Sequence, residues 1–330
     1  MGVSVVAVVL AGGTGTRLYP ASRPDRPKQL LEFGGEGSLL ARTVDRAGFA
    51  DERYVLTRPS LVEAVREHAP GAAVLAEPEP KDTGPALVYA AHRVREQVGE
   101  CVLVCLPSDH HIRGEFATTM ERAAGVAADT GRLVTVGVEP SRPATGYGYI
   151  APGADRGDYR EVERFVEKPD ADAAREYVDR GWLWNAGMFA LTPGALLDAA
   201  RDSPLAGLVD ALETGDPEAG FAAVESVSVD HAVLEGADDV AVVPAEFEWD
   251  DLGSWDALGR VLEADGEGNA RLGETVAVDA ADCVLAAGPD SHVSAVGVEG
   301  LAVVSYDGRT LVVPREDAER VREVVGRLGG

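Results

Sequence analysis

Residues 3–20 read VSVVAVVLAGGTGTRLYP, and the fold turns on how that stretch divides. Val3–Leu10 is an almost unbroken apolar run, the pattern of a strand buried on both faces. It passes directly into three glycines in four positions, Gly12, Gly13 and Gly15. Glycines there let backbone N–H groups approach a bound anion at a strand-to-helix turn. Two familiar phosphate loops fail on spacing. A Walker A loop ends in G-K-[ST], whereas this one ends in T-R; a dinucleotide fingerprint starting at Gly13 would need glycine where Leu18 stands. Alone, such a turn is as often structural as functional. The charges beyond it, Arg17 and Lys28, bound a short proline-rich loop and point to phosphates.

Outward from this stretch, apolar runs alternate with helical patterns. Strands are expected near Ala73–Ala76, Cys101–Leu106 and Leu133–Val138. Helices are expected over Ser38–Phe49, Ser60–His68 (opened by a Ser60…Glu63 capping box), Pro85–Val98 and Phe116–Ala128. That spacing implies βαβ units, hence an α/β fold with a mostly parallel sheet covered by helices on both faces. After Gly146 come an added hairpin, Tyr147–Ile150 with Glu161–Glu167, helical segments through Glu235, and a strand at Val240–Phe247. The Gly-rich stretch 263–269 marks a boundary. Beyond it, short strands at Glu274–Asp279, Cys283–Ala286, His292–Val296, Leu301–Val304 and Thr310–Val313 predict a small all-β domain closed by a helix near Arg315–Leu328. The division expected is 1–262 and 263–330.

Composition narrows the function. The 330 residues carry 30 basic against 56 acidic side chains, a net charge of −26, which repels phosphate backbones and anionic lipids and argues against nucleic-acid and membrane roles. Only Lys28, Lys81 and Lys168 are lysines. Few lysines with a carboxylate excess read as adaptation to molar salt, where the Debye length shrinks to about 3 Å. A GC-rich genome explains arginine over lysine but not the acid excess. Cys101, Cys105 and Cys283 are too few for a disulfide framework, and no stretch has the apolar length of a membrane helix. A cytoplasmic protein is expected.

Against that scarcity, each surviving lysine marks a place where a compact ammonium on a flexible stem matters; chance survival is the rival reading, most of all for Lys81. The next motif is C-V-L-V-C-L-P-S-D-H. An acid just past the carboxyl end of a buried strand lies where open α/β sheets bind ligands, which makes Asp109 a candidate Mg2+ ligand beside phosphates; a turn-forming aspartate is the rival. His110 and His111 read as structural. A second acid pair, Asp250-Asp251, precedes Gly253.

In order, GGTGTRLYP…RPKQ, PSDH, YGYI, FVEKPD, WNAGMF, SVDHAVLE and WDDLGSWDAL resemble the sugar-1-phosphate nucleotidylyltransferases, specifically the bacterial-type mannose-1-phosphate guanylyltransferases. The resemblance runs from residue 6 to about 260 and more weakly beyond. It implies a glycosyltransferase-A-like sheet followed by a left-handed β-helix domain, and the Mg2+-dependent reaction of GTP with mannose 1-phosphate to give GDP-mannose and pyrophosphate. By the same resemblance, Leu10, Ala11, Gly12, Gly13, Gly15, Thr16, Glu77, Thr83 and Ser108 hold the nucleotide. Arg17 and Lys28 contact its phosphates, and Lys168 grips the sugar phosphate. Gly148, Glu167 and Asn185 line the sugar pocket, while Asp109 and Asp251 hold the metal. Family precedent also points to a homodimer. The segment K-D-T-G-P, at Lys81–Pro85, departs from the usual R-N-T-A-P; Asp82 there either favours the guanine donors or reflects acidic drift. A relative using glucose 1-phosphate with UTP or dTTP is the alternative.

Overall fold

The computed structural model describes residues 3–13, 15–33, 37–237 and 239–328; Thr14, inside the glycine turn, lies outside them. The chain forms two compact units that do not follow chain order. The first comprises 1–12, 43–108 and 112–249, the second 13–42, 109–111 and 250–330.

The strands up to Asp250 are β1 (Ser4–Leu10), β2 (Glu52–Thr57), β3 (Ala73–Ala76), β4 (Cys101–Pro107), β5 (His111–Gly114), β6 (Leu133–Val138), β7 (Tyr149–Asp155), β8 (Arg160–Val166), β9 (Leu183–Leu191), β10 (Val240–Pro244) and β11 (Phe247–Asp250). Nine form one sheet in the order β3-β2-β1-β4-β9-β6-β10-β8-β7, and β5 pairs with β11 in a short ribbon. The β3-β2-β1-β4 part is parallel throughout. β9 runs antiparallel to both β4 and β6, and β7 and β8 form the expected hairpin. Val6, Val8, Leu103 and Cys105 from one face of the sheet share a core with Leu87, Ala91 and Val94 of the helix Thr83–Val98 and with Leu196, Leu208 and Phe221 of later helices. The helix Phe116–Thr130 packs against β4, β6 and β9. Cys101 and Cys105 are buried, unpaired core residues, as expected.

Four sequence expectations are corrected. Ser60 does not cap a helix: a tight 3-10 turn already runs over Pro59–Leu61, so the α-helix Val62–His68 begins on Leu61 without a side-chain cap. The stretch 183–191, read as part of a helical region, is the central strand β9. β2 had no counterpart in the expectations, because its charged start, exposed Glu52 and half-buried Arg53, hides four buried residues. Val240–Phe247 is two strands, split where Ala245 N–H turns to donate to Gly137 O (2.8 Å).

The second unit contains β12 (Ala270–Leu272), β13 (Thr275–Val278), β14 (Val284–Ala287), β15 (Val293–Val296), β16 (Leu301–Tyr306) and β17 (Arg309–Pro314). β12, β14 and β16 stack in parallel register, Ala270 on Val284 on Ala302, while β13 stacks on β15. Successive coils of one chain lying in parallel register make a β-helix. β17 turns back antiparallel to close it, followed by a 3-10 turn and the short helix Val321–Arg327. Buried Asn269 staples two coils, its amide donating to Ala280 O (2.8 Å) and accepting from Cys283 N–H (3.1 Å). The same core holds Leu18, Leu31, Phe33 and Trp255, so the loop that follows the glycine turn packs with the β-helix.

Candidate active site

In the first unit the carboxyl ends of β1 and β4 carry the nucleotide candidates. Ser108 N–H donates to Leu10 O (3.1 Å), Ala11 N–H to Leu56 O (2.8 Å), and Thr57 Oγ1 to Ala11 O (3.0 Å), so Leu10, Ala11 and Ser108 are pinned to neighbouring strand ends. Glu77 follows β3, its N–H donating to Thr57 O (2.9 Å). Its side chain is buried against Gly12, where a Cβ would stand 2.8 Å from Glu77 Oε1. Oε2 has no hydrogen-bond partner among the described residues. Burial, only partly offset by Arg58, pushes the Glu77 carboxyl up to about 7. A buried acid with an unmet oxygen is costly unless a ligand supplies donors.

The K-D-T-G-P segment does structural work. Lys81 Nζ donates to Phe221 O (2.6 Å) and Val224 O (3.0 Å), closing the end of the helix Pro217–Ala223. Exposed Asp82 caps the helix that starts at Thr83, accepting from Thr83 N–H (2.7 Å). Gly84 is needed because Val227 O passes 2.6 Å from where its Cβ would be.

The hexose candidates also gather in this unit. Glu167 pairs with Lys168 (2.8 Å) and lies against Gly148, where a Cβ would stand 2.5 Å from Glu167 Oε2. Lys168 is largely exposed and has φ +46° immediately before Pro169; left-handed backbone in a lysine preceding proline is strained and concentrates at functional positions. Asn185, on β9, takes Thr135 Oγ1 on its Oδ1 (2.9 Å) and donates from Nδ2 to Asp230 (2.7 Å). The motif holding Asp230 was visible in the sequence, but no role attached to it.

In the second unit the phosphate and metal candidates converge. Gly15 has φ +56°, and any Cβ there would collide with that of Lys28. It leads the 3-10 turn Thr16–Leu18 that carries exposed Arg17. Gly13 O accepts from buried Gln29 Nε2 (2.9 Å), and Gly15 O from Ser22 Oγ (2.6 Å). Lys28 is buried, yet its ammonium donates to Asp109 Oδ2 (2.8 Å) and to the backbone oxygen of Asp251. The two aspartates 142 positions apart thus meet at one ammonium. Burial raises the Asp109 carboxyl, but Lys28, His110 and Arg17 outweigh it and hold it below the ordinary range, so it stays ionised. Asp250 faces elsewhere: its Oδ2 takes Arg260 through two nitrogens (3.1 and 2.8 Å) and its Oδ1 takes Leu252 N–H (2.9 Å). Asp251 is thus the member of the pair that meets Lys28, through its backbone oxygen, while its own Oδ1 accepts from Gly253 N–H (2.9 Å).

The described residues hold no group of three or more His, Cys, Asp or Glu arranged for a metal. Two hard carboxylate donors nonetheless fit Mg2+, which takes one or two carboxylates and fills its other positions from water and substrate phosphates.

Residues 6–267 match the family model for nucleotidyl transferase, and 273–328 that for the MannoseP isomerase/GMP-like beta-helix domain. Among curated relatives, the Xanthan biosynthesis protein XanB of Xanthomonas campestris is 37% identical over 98% of this chain and 73% of its own. A mannose-1-phosphate guanylyltransferase of Escherichia coli is 34% identical over 97% of this chain and 73% of its own. A solved structure from Thermus thermophilus, described as a mannose-1-phosphate geranyltransferase, superposes with a TM-score of 0.93 at 35% identity, covering 99% of this chain and 100% of that one. With sheet, β-helix and motifs all in place, the chain belongs to the nucleotidyl transferase family and carries a C-terminal β-helix domain.

Proposed function

We propose that this protein transfers the guanylyl group of GTP to α-D-mannose 1-phosphate, giving GDP-mannose and pyrophosphate. The observation that carries the reading is the buried Lys28 ammonium holding Asp109 and Asp251 together. It is a preformed phosphate-and-cation site in a chain that otherwise sheds lysine. Guanine is favoured by Glu77, whose unmet buried oxygen suits the paired N–H donors on that base's edge.

The reaction is an in-line displacement. An oxygen of the sugar phosphate forms a bond to the α-phosphorus of GTP while the bond from that phosphorus to the bridging oxygen breaks, its electron pair leaving with pyrophosphate. The nucleophile is already an anion, so no general base is needed. Bringing two polyanions together and stabilising the leaving charge make up the barrier, which positioning and cations lower. Lys28 and Arg17 face the triphosphate and the departing pyrophosphate, with the N–H groups of Gly12, Gly13, Gly15 and Thr16 at the nucleotide. Lys168 holds the sugar phosphate and Glu167 accepts from hexose hydroxyls. Asp109 and Asp251 would hold Mg2+, which when bound neutralises phosphate charge. Thr83 and Ser108 line the nucleotide side. As further parts of the same reading, the protein works in the cytoplasm at high salt, and as a homodimer; the described residues include no helix long and apolar enough to cross a membrane.

Pyrophosphate release, measured in molar KCl across GTP, UTP, dTTP and ATP and several hexose 1-phosphates, tests this. GTP with mannose 1-phosphate is expected to be the best pair, and Lys28→Ala to lose about 10²–10³ in rate with the fold intact. Faster turnover of glucose 1-phosphate with UTP or dTTP would replace the specificity, and a loss under about fivefold for Lys28→Ala would remove Lys28 from the phosphates.

A further inference from the structure

The motif S-V-D-H-A-V-L-E, residues 228–235, has so far no part in the reaction. It forms a wide turn over Asp230–Leu234, closed by Glu235 N–H donating to Asp230 O (2.9 Å). Turns of this i→i+5 kind are rare and often sit at functional sites. Here the turn is anchored from outside: Val229 N–H donates to Thr83 Oγ1 (3.0 Å) and Gly84 N–H to Val227 O (3.0 Å). The segment that departs from the family pattern is therefore the brace of this motif.

The brace and β9 together fix one carboxylate. Asp230 Oδ1 accepts from Asn185 Nδ2 (2.7 Å), and Asn185 cannot rotate away, because its own Oδ1 accepts from Thr135 Oγ1 (2.9 Å) and from Gly187 N–H (3.2 Å). Both ends of the Asn185 amide are thus engaged by protein, which suits it to aim another group better than to grip sugar. Oδ2 of Asp230, by contrast, receives no hydrogen bond from another described residue. Glu167 lies near enough for its charge to be felt: burial first, and Glu167 second, push the Asp230 carboxyl up to about 6, with Lys168 pulling the other way. Two half-buried carboxylates within reach of each other's charge repel, and hydroxyl donors from a ligand relieve that repulsion.

We propose that Asp230 is a specificity-determining residue of the hexose site, its Oδ2 accepting from a ring hydroxyl adjacent to the one taken by Glu167, with Asn185 as the positioning residue that aims it. The two carboxylates would together read a vicinal pair of hydroxyls, so the relative configuration of neighbouring ring carbons decides whether both contacts form. This rests on the hexose-phosphate reading above.

The test uses the full chain, wild type, Asp230→Ala and the near-isosteric Asp230→Asn, with thermal melts to confirm folding. Each is assayed with mannose 1-phosphate and with its 2-, 3- and 4-deoxy analogues. For the wild type, one deoxy analogue should cost about tenfold or more in kcat/KM, the scale of one hydrogen bond to a charged group. Asp230→Ala should lose a similar factor on the parent sugar, nothing further on that analogue, and less than about twofold in KM for GTP. Binding of GDP-mannose by calorimetry should weaken by the same factor while binding of GDP does not. Losses that multiply for every analogue, or a variant whose KM values for sugar and GTP move together, would overturn the assignment. If the wild type prefers another hexose phosphate, the mannose reading fails, and the same comparison on the deoxy forms of that sugar still decides Asp230. If it turns over no hexose phosphate, both readings fall.

Discussion

Glu77 shows how much one carboxyl can carry. Its ordinary pKa lies near that of any glutamate, yet burial lifts it to about 7 in the folded chain. Between those values the folded state holds a proton that the unfolded state has lost, so stability falls as pH rises from about 4.5 to 7 and stays lowered above. Glu77→Gln is accordingly expected to stabilise the ligand-free protein at pH 8 by up to about 3 kcal/mol in denaturant unfolding. The same variant should bind GTP more weakly, since an amide offers one acceptor where the ionised carboxylate offers two. Wild-type GTP affinity should itself decline below pH 7 as the acceptor is neutralised. A variant no more stable at pH 8 would mean the acid is not buried as described. At this scale the sequence singled out Arg17, Lys28, Asp109 and Asp251 as charges at loop ends in a lysine-poor chain, and the structure brings the last three together. It said less where partners are distant. Lys81 looked like one more retained cation, yet its ammonium caps a helix 140 residues away; Asp230 gained meaning only through Asn185, 45 positions earlier.

Among the elements, strands buried on both faces were the most legible. β1, β4 and β6 announce themselves as apolar runs because no polar face has to alternate. β9 (LWNAGMFAL) did not, since its asparagine and glycine break the pattern: Asn185 reaches Thr135 across the register shift opposite Gly137. The one cap expected from the sequence, at Ser60, fails, whereas Asp170, Thr192 and Ser254, for which no cap was expected, do cap the helices that follow them. One link between elements has a measurable consequence. Arg260 and Asp256 of the helix Trp255–Val261 join Asp250 to Arg315 at the close of the β-helix, through bonds of 2.6 to 3.1 Å. Arg260→Met would leave the buried Asp250 carboxylate unpaired and is expected to cost about 3 kcal/mol or more. Asp250→Asn in the same chain should recover much of that loss. Equal loss in single and double variants would show that the loss is not the cost of an unpaired buried carboxylate.

The molecule as a whole is dominated by its charge of −26. Self-repulsion across such a surface is screened at about 3 Å in molar salt but reaches about 10 Å at 0.1 M. Melting temperature should therefore climb steadily between 0.1 and 3 M KCl, and a flat dependence would refute adaptation to salt. Within that anionic surface the proposed reaction requires a small cationic centre, for which Arg17 and Lys28 are the candidates: the core containing Trp255 and Tyr306 also packs Leu18 and Leu31, close in sequence to those two cations. A crystal grown with GDP-mannose and Mg2+ tests that centre most directly. Lys28 Nζ is expected within hydrogen-bond distance of a diphosphate oxygen, with the ion on Asp109 and Asp251. A diphosphate bound elsewhere, with Lys28 still closed on Asp109, would contradict it.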